Sequence, residues 1–402
     1  MPPARGDGAP HPRVAVRVAD GVGRCFHRPV RVVVTGASGY VGRRLVPVLL
    51  ERGHEVTATF SRAGTADRFP WRDDVTVAVM DVGDAGQVVA ALEGAQAVYY
   101  LVHGMGGPDF VAQDRQAAHH VAHAAIEHDV ERIVYLSGLL PPGPTERLSA
   151  HLRSRHEVER ILSASGVPTT TLRAAIIVGS GSTSFEVLRQ LSERLPVRAL
   201  PGWMRSTVQP VAVTDVLEVL ARCLEIEPAT RSYDVGGEER LSYRHLLDLY
   251  AEVAGLVRAE VTLPVAPTAL VGWLAGQLTD VPSSTVEALV GSLHHDMVCR
   301  EADFRADLLP DGWELTPLRE ALERALAGPT PAGSGGNGSA GSAGEHRPLD
   351  LLGPVPGDPD WAGGSISVEG GRAVRRPRNP AESLLLGLPR LGRSAWAADR
   401  DA

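Results

Sequence analysis

Residues 30–45 read VRVVVTGASGYVGRRL, and no other stretch of the chain limits its fold so tightly. A run of β-branched residues passes into glycines at 36, 39 and 42, and a helical pattern begins at once. Gly36 suits the tight turn leaving a strand, Gly39 lets backbone come close to a pyrophosphate, and Gly42 favours close packing of helix on strand. The helix N-terminus then offers unpaired N–H groups and partial positive charge to phosphate oxygens. The spacing predicts a dinucleotide site built from Gly36, Ser38, Gly39, Tyr40, Val41 and Gly42. A purely structural turn is the competing reading.

The pattern downstream repeats the theme. Strands are expected at 30–35, 55–60, 75–80, 97–102, 132–137 and 169–174, and helices at 40–52, 87–93, 110–128 and 149–165. Strands separated by helices imply a parallel sheet covered on both faces, and apolar runs such as VRVVV and RIVYL fit such burial. Pro47 should kink the first helix, because it lacks an amide hydrogen. The predicted class is an α/β fold, a Rossmann-type doubly wound parallel sheet with a smaller C-terminal substrate region. Residues 1–28 read as a disordered extension or a start assigned too early, 29–178 as the NAD(P)-binding core, and 179–327 as the substrate region completing the same domain. Residues 328–402 open on PTPAGSGGNGSAGSAG and read as a disordered linker and tail, with a short helix near 381–386.

Composition narrows the function. A net charge of -8 and a pI near 6.0 argue against a nucleic-acid binder. Cys25, Cys223 and Cys299 show no paired spacing, which excludes a disulfide framework or a cysteine zinc site and fits a cytoplasmic protein. No metal site is expected, and the apolar run 265–278 is too short for an integral membrane segment. All 40 basic residues are Arg, so Schiff-base chemistry, a phosphate-loop Lys and a Tyr–Lys catalytic pair are unavailable.

NAD-preferring sites place an acidic residue after the second strand to meet the ribose 2′-hydroxyl. Here that position reads Phe60-Ser61-Arg62, with Arg43 just past the glycine turn, so NADP(H) is expected over NAD(H). The bland reading of Arg62 is a solvated charge. Asp81 and Val82 follow the third strand at the position of the adenine, with a helix cap as the alternative role of Asp81. Leu101 and His103 follow the fourth strand, at the edge where open α/β sheets bind ligands. Gly104 and Gly106 would let a ligand approach closely.

TGASGYVG, MDV, VYYLV, RIVYLSG, TTLRAAIIVG and PVAVTDV together resemble the atypical and extended short-chain dehydrogenase/reductases, with the NmrA-like NAD(P)-binding proteins most similar. The likeness runs from about Val30 to Ala327. VYYLVHGMGGPDFVAQDRQAA and LSAHLRSRHEVERIL resemble a bacterial subgroup often fused to a lipid-binding-like domain. DPDWAGGSI is similar to the start of that domain, which here reads as truncated. The resemblance implies a catalytic Ser, Tyr and Lys. Ser137 stands at the first position, but HLRSR puts His151 for Tyr and Arg155 for Lys. Either His151 acts as an acid, titrating near neutrality, while Arg155 binds ribose or phosphate, or the classical chemistry is lost.

His103, Trp203 and Arg205 are the candidate substrate contacts, each with an ordinary structural alternative. His119, His120, His123 and His128 read as a polar helix face, and 265–278 as core packing more readily than as a cavity wall or partner surface. The chain thus reads as an NAD(P)H-dependent oxidoreductase on a small apolar carbonyl substrate. The alternative is a non-catalytic NADP(H)-binding redox sensor, regulator or assembly factor with a protein partner. A weaker third reading is a lipid- or quinone-associated accessory protein.

Overall fold

The computed structural model describes residues 28–104, 109–263, 267–327, 350–369 and 372–375. Seven strands form one parallel sheet: β1 (Arg31–Thr35), β2 (Glu55–Phe60), β3 (Thr76–Val79), β4 (Ala97–Tyr100), β5 (Arg132–Gly138), β6 (Thr169–Ala174) and β7 (Arg231–Val235). Their order is β7-β6-β5-β4-β1-β2-β3, every neighbour pair parallel. The order reverses between β1 and β4, where a crevice opens at the carboxyl ends of the strands. Thr35 stitches that point: its hydroxyl donates to the Tyr99 carbonyl at 3.0 Å and accepts from the Leu101 amide at 3.1 Å.

Alternation along β1 builds the two covered faces. Val33 points to the face covered by α2 (Ala85–Leu92), α3 (Phe110–Glu127) and α4 (Ala150–Ser163), where Val88, Val121 and Leu162 are buried. Val32 and Val34 point to the opposite face, covered by α1 (Gly42–Glu51) and α6 (Val213–Arg222). Pro47 lies inside α1, which stays continuous. The Arg43 carbonyl, four residues earlier, has no amide from Pro47 to accept and takes the Trp71 indole N–H at 3.3 Å. Four further helices contribute residues to the crevice at the carboxyl ends of the strands: α5 (Thr183–Arg194), α7 (Tyr243–Val253), α8 (Thr268–Leu278) and α9 (Ser283–Val290).

The expectation of a disordered tail fails for residues 350–369. Leu352 and Ile366 are fully buried in the main core, and Ile366–Glu369 pairs with Arg372–Arg375 as an antiparallel hairpin. Two polar anchors hold the segment. Arg44, with no exposed surface, donates to the carbonyls of Leu351, Ser180 and Gly353 and to the Asp358 carboxylate. On α5, Glu193 accepts from the Ser365 amide, Arg189 donates to the Ile366 carbonyl at 2.8 Å, and Gln190 donates to the Trp361 carbonyl at 2.9 Å. The sequence hides this docking because its buried partners are backbone carbonyls and polar side chains that ordinarily face water. The N-terminal extension, the glycine-rich linker and the helix expected near 381–386 lie outside the described residues.

Candidate functional site

A cavity of about 560 Å³ opens at the carboxyl ends of β1, β4, β5 and β6. The glycine turn forms one end: Gly36, Gly39, Tyr40, Val41 and Gly42 line it. Gly36 has φ +69°, which only glycine adopts without strain. A Cβ on Gly42 would overlap the Gly36 carbonyl oxygen, which accepts the Gly39 amide at 2.8 Å. No side chain caps α1, whose N-cap is Val41; the Arg43 and Arg44 amides donate to the Gly39 and Val41 carbonyls, which leaves the amides of Tyr40, Val41 and Gly42 for an anion. A cradle with no room for side chains, ending in an uncapped helix, fits a dinucleotide pyrophosphate. Ser38 is half-buried beside the cavity and is not part of its lining.

The polar centre comes from three elements. Leu101 and His103 follow β4, Ser137 and Gly138 end β5, and His151 and Arg155 stand one turn apart on α4. The structure thus brings together all four expected polar residues, His103, Ser137, His151 and Arg155. The two imidazole centroids are 6.4 Å apart with rings inclined at 62°. Burial first, then the Arg155 charge, lowers both rings: His151 to about 3 and His103 well below its ordinary value. The reading of His151 as a group titrating near neutrality is therefore corrected. Both rings are neutral at pH 7 and act as hydrogen-bonding groups. The Ser137 hydroxyl, 3% exposed, and Arg155 Nε are buried without a hydrogen-bond partner of good geometry.

His103 owes its position to a buried acid. Asp114 on α3 accepts the Gly104 amide at 2.6 Å and the Ser154 hydroxyl at 2.6 Å, tying the loop after β4 to α4. A Cβ on Gly104 would crowd Phe110 and Asp114, so this glycine serves packing. Gly106 lies outside the described residues.

The far end is hydrocarbon. Val187, Leu188 and Leu191 of α5 face Val271, Leu274 and Leu278 of α8 across it, with Val290 and Met297 nearby. The apolar run 265–278, expected mainly as core packing, is a cavity wall from Val271 to Leu278, while Leu270 and Trp273 are about half exposed. Sequence reasoning missed α5 altogether. Its apolar stripe was visible, but Glu186, Arg189 and Glu193 on the other side are buried, because the C-terminal segment covers them.

Several expected contacts stand elsewhere. Arg62 is exposed after β2, makes no ion pair among the described residues and lies outside the cavity lining. Arg43 is turned away from a cofactor role: its guanidinium donates to the Gly39 and Gly357 carbonyls and pairs with Asp358 at 3.1 Å. Asp81 is exposed and accepts the Gly83 amide at 2.8 Å; the cap of α2 is Asp84. The Val82 carbonyl lies 2.9 Å from His120 Nδ1, and neither Asp81 nor Val82 lines the cavity. Arg205 is exposed and does not line it either, whereas its neighbour Met204 does; the Trp203 side chain lies outside the description. His119 and His123 are exposed, and the described residues contain no metal-binding cluster. No described helix is long and apolar enough to cross a membrane.

Comparison with known proteins places these features. A family model described as NAD(P)H-binding matches residues 36–222. A 3-beta-hydroxysteroid dehydrogenase of Mycolicibacterium neoaurum is 34% identical over 116 residues, covering 26% of this chain and 31% of that protein. The chain thus spans about a third of the length of the steroid dehydrogenases it matches. The dTDP-6-deoxy-L-talose 4-dehydrogenase (NAD(P)(+)) of Kitasatospora kifunensis is 26% identical over 271 residues, 60% of this chain and 83% of that one. Among solved structures, a Staphylococcus aureus nucleoside-diphosphate-sugar epimerase superposes with TM-score 0.58 at 15% identity, covering 73% of this chain and 99% of that one. The Bordetella bronchiseptica enzyme WbmH in complex with NAD+ superposes with TM-score 0.55 at 19% identity, over 73% and 96%. At such identities the structural likeness is one of fold.

Proposed function

We propose, from the NAD(P)H-binding family model that matches residues 36–222 and from the resemblance of the motifs to the extended short-chain dehydrogenase/reductases, that this protein is an NAD(P)H-dependent oxidoreductase acting on an apolar carbonyl compound. The observation that carries the reading is continuity: one cavity joins the glycine turn, the Ser137–His151–Arg155 centre and the hydrocarbon lobe. Bound nicotinamide supplies or accepts the hydride. Gly36, Gly39, Tyr40, Val41 and Gly42 cradle the diphosphate, with the amides of Tyr40, Val41 and Gly42 donating to it. Ser137 and the neutral ring of His151 orient the carbonyl oxygen by donating hydrogen bonds, His103 stands beside them with its one N–H given to the Leu101 carbonyl, and water delivers the proton. The hydrocarbon of the substrate fills the lobe between α5 and α8.

The finer cofactor choice, NADP(H) over NAD(H), rests on Arg62, since Asp358 and Gly357 occupy Arg43. The NmrA-like branch remains the placement that the motifs favour. Free, buried Cys223 and Cys299 suit the cytoplasm. A second reading has its own observation. An imidazole held neutral is a weak acid, and without the Tyr–Lys pair the site also suits a non-catalytic NADP(H)-binding sensor, regulator or assembly factor.

NADPH oxidation across a panel of apolar aldehydes, ketones and quinones separates the two. For an enzyme, His151→Ala lowers kcat by at least about a hundredfold with cofactor binding intact. Unchanged turnover in that variant removes His151 from the mechanism. Tight NADPH binding with no turnover across the panel favours the sensor.

A further inference from the structure

The polar centre of the cavity holds a cation with no counter-ion. Arg155 lines the cavity; one of its Nη groups donates to the Leu136 carbonyl at 3.4 Å, its Nε has no partner, and no described carboxylate lies within ion-pair distance. Asp114, the acid that acts with Arg155 on the phenols of Tyr100 and Tyr135, commits its two oxygens to Gly104 and Ser154. Part-buried Arg132 is satisfied by the carbonyls of Cys223 and Ile226, whereas three other arginines meet carboxylates. Arg44 holds Asp358, Arg173 holds Glu159, and Arg189 holds Glu186 and Glu193. A guanidinium in apolar surroundings is costly unless an anion meets it.

A second observation points to the same ligand group. The Ser137 hydroxyl, buried with the Tyr135 phenol beside it and no partner of good geometry, lines the same centre, and two uncharged imidazoles flank it. Arg155, Ser137 and His151 can thus donate at a point where the one positive charge has no described carboxylate within ion-pair distance. Ribose hydroxyls would satisfy donors here but leave the charge unmatched.

We infer that the substrate is an apolar acid, its carboxylate received by Arg155 and Ser137 and its hydrocarbon lying between α5 and α8. The carboxylate site stands on its own; that the acid also carries a carbonyl, close to the carboxylate and beside His103 and His151, rests on the oxidoreductase reading above. Arg155 is then a binding residue that selects acids over esters and alcohols of equal chain length.

Calorimetry with decanoate and methyl decanoate, below their aggregation concentrations and with and without NADPH, tests this on the full chain. Decanoate should bind wild type at least about tenfold more tightly than its ester, the low end for a charge-assisted hydrogen bond. Arg155→Gln should abolish the difference, and Arg155→Lys should restore part of it. Equal affinity of acid and ester for wild type overturns the inference without any variant. So does an Arg155→Gln protein that loses NADPH but keeps the acid preference, since Arg155 would then serve the cofactor. Acid preference without NADPH binding sinks the oxidoreductase reading and leaves the carboxylate site standing.

Discussion

The two ends of the cavity are built on different principles. The glycine end is seven consecutive residues, 36–42, whose working parts are backbone amides and missing side chains. The hydrocarbon end is assembled from α5, α8, α9 and Met297, and α5 is braced from behind by a segment more than 160 residues further along the chain. A backbone-made site is a local object and tolerates almost no change within it. A side-chain-made site tolerates single changes but depends on everything that holds its walls in place.

The sharpest way to break this contrast is Asp358→Ala. It leaves Arg44 buried without its carboxylate, and loss of one partner of a buried pair costs about 3–5 kcal/mol. Denaturant unfolding should register that loss; a stability change under about 1 kcal/mol would mean the C-terminal segment braces nothing. Next comes Gly42→Val, whose side chain collides with the Gly36 carbonyl. NADPH and NADH affinity should both fall by at least about a hundredfold in fluorescence titration, equivalent to roughly 2.7 kcal/mol. Retained affinity would show that the phosphate lies elsewhere.

The centre between the two ends gives an acid signature. His151 is lowered to about 3 by burial and Arg155, so between pH 6.5 and 3 the unfolded chain binds a proton that the folded chain refuses. Stability should therefore fall as pH drops through that window, by at most about 1.4 kcal/mol per pH unit from this group. His151→Gln should flatten the slope in pH-dependent melts, and an unchanged slope assigns the acid sensitivity to other groups. Smaller still, Leu191→Ala should weaken an apolar ligand about tenfold while NADPH binding stays unchanged, because one wall of the lobe recedes. Arg62→Ala should erase about a tenfold preference for NADPH over NADH. Equal affinities of the wild type for the two cofactors would remove that preference at the outset.

How much of this was legible follows the same division. The sheet and its helices were readable because each element carries its own period, and β2 and β6 start and stop at the residues expected. Ser137, His151 and Arg155 were readable from a resemblance that places them on one strand end and one helix. The altered acidity of His151 was not, since it depends on what buries the ring. Neither partner of Arg43 nor that of Asp81 could be read from the sequence: Gly357 and Asp358 hold Arg43, and Asp81 accepts the Gly83 amide.

The sequence by itself determined the parallel sheet, the glycine turn between β1 and α1 and the absence of any lysine chemistry, because these depend on local geometry and residue inventory alone. Tertiary structure decided that the C-terminal segment docks, that α5 buries both of its faces, and that Arg155 meets a hydrocarbon cavity with no carboxylate among the described residues to match it. Those outcomes depend on which distant surfaces exclude water from one another, and no local pattern records that.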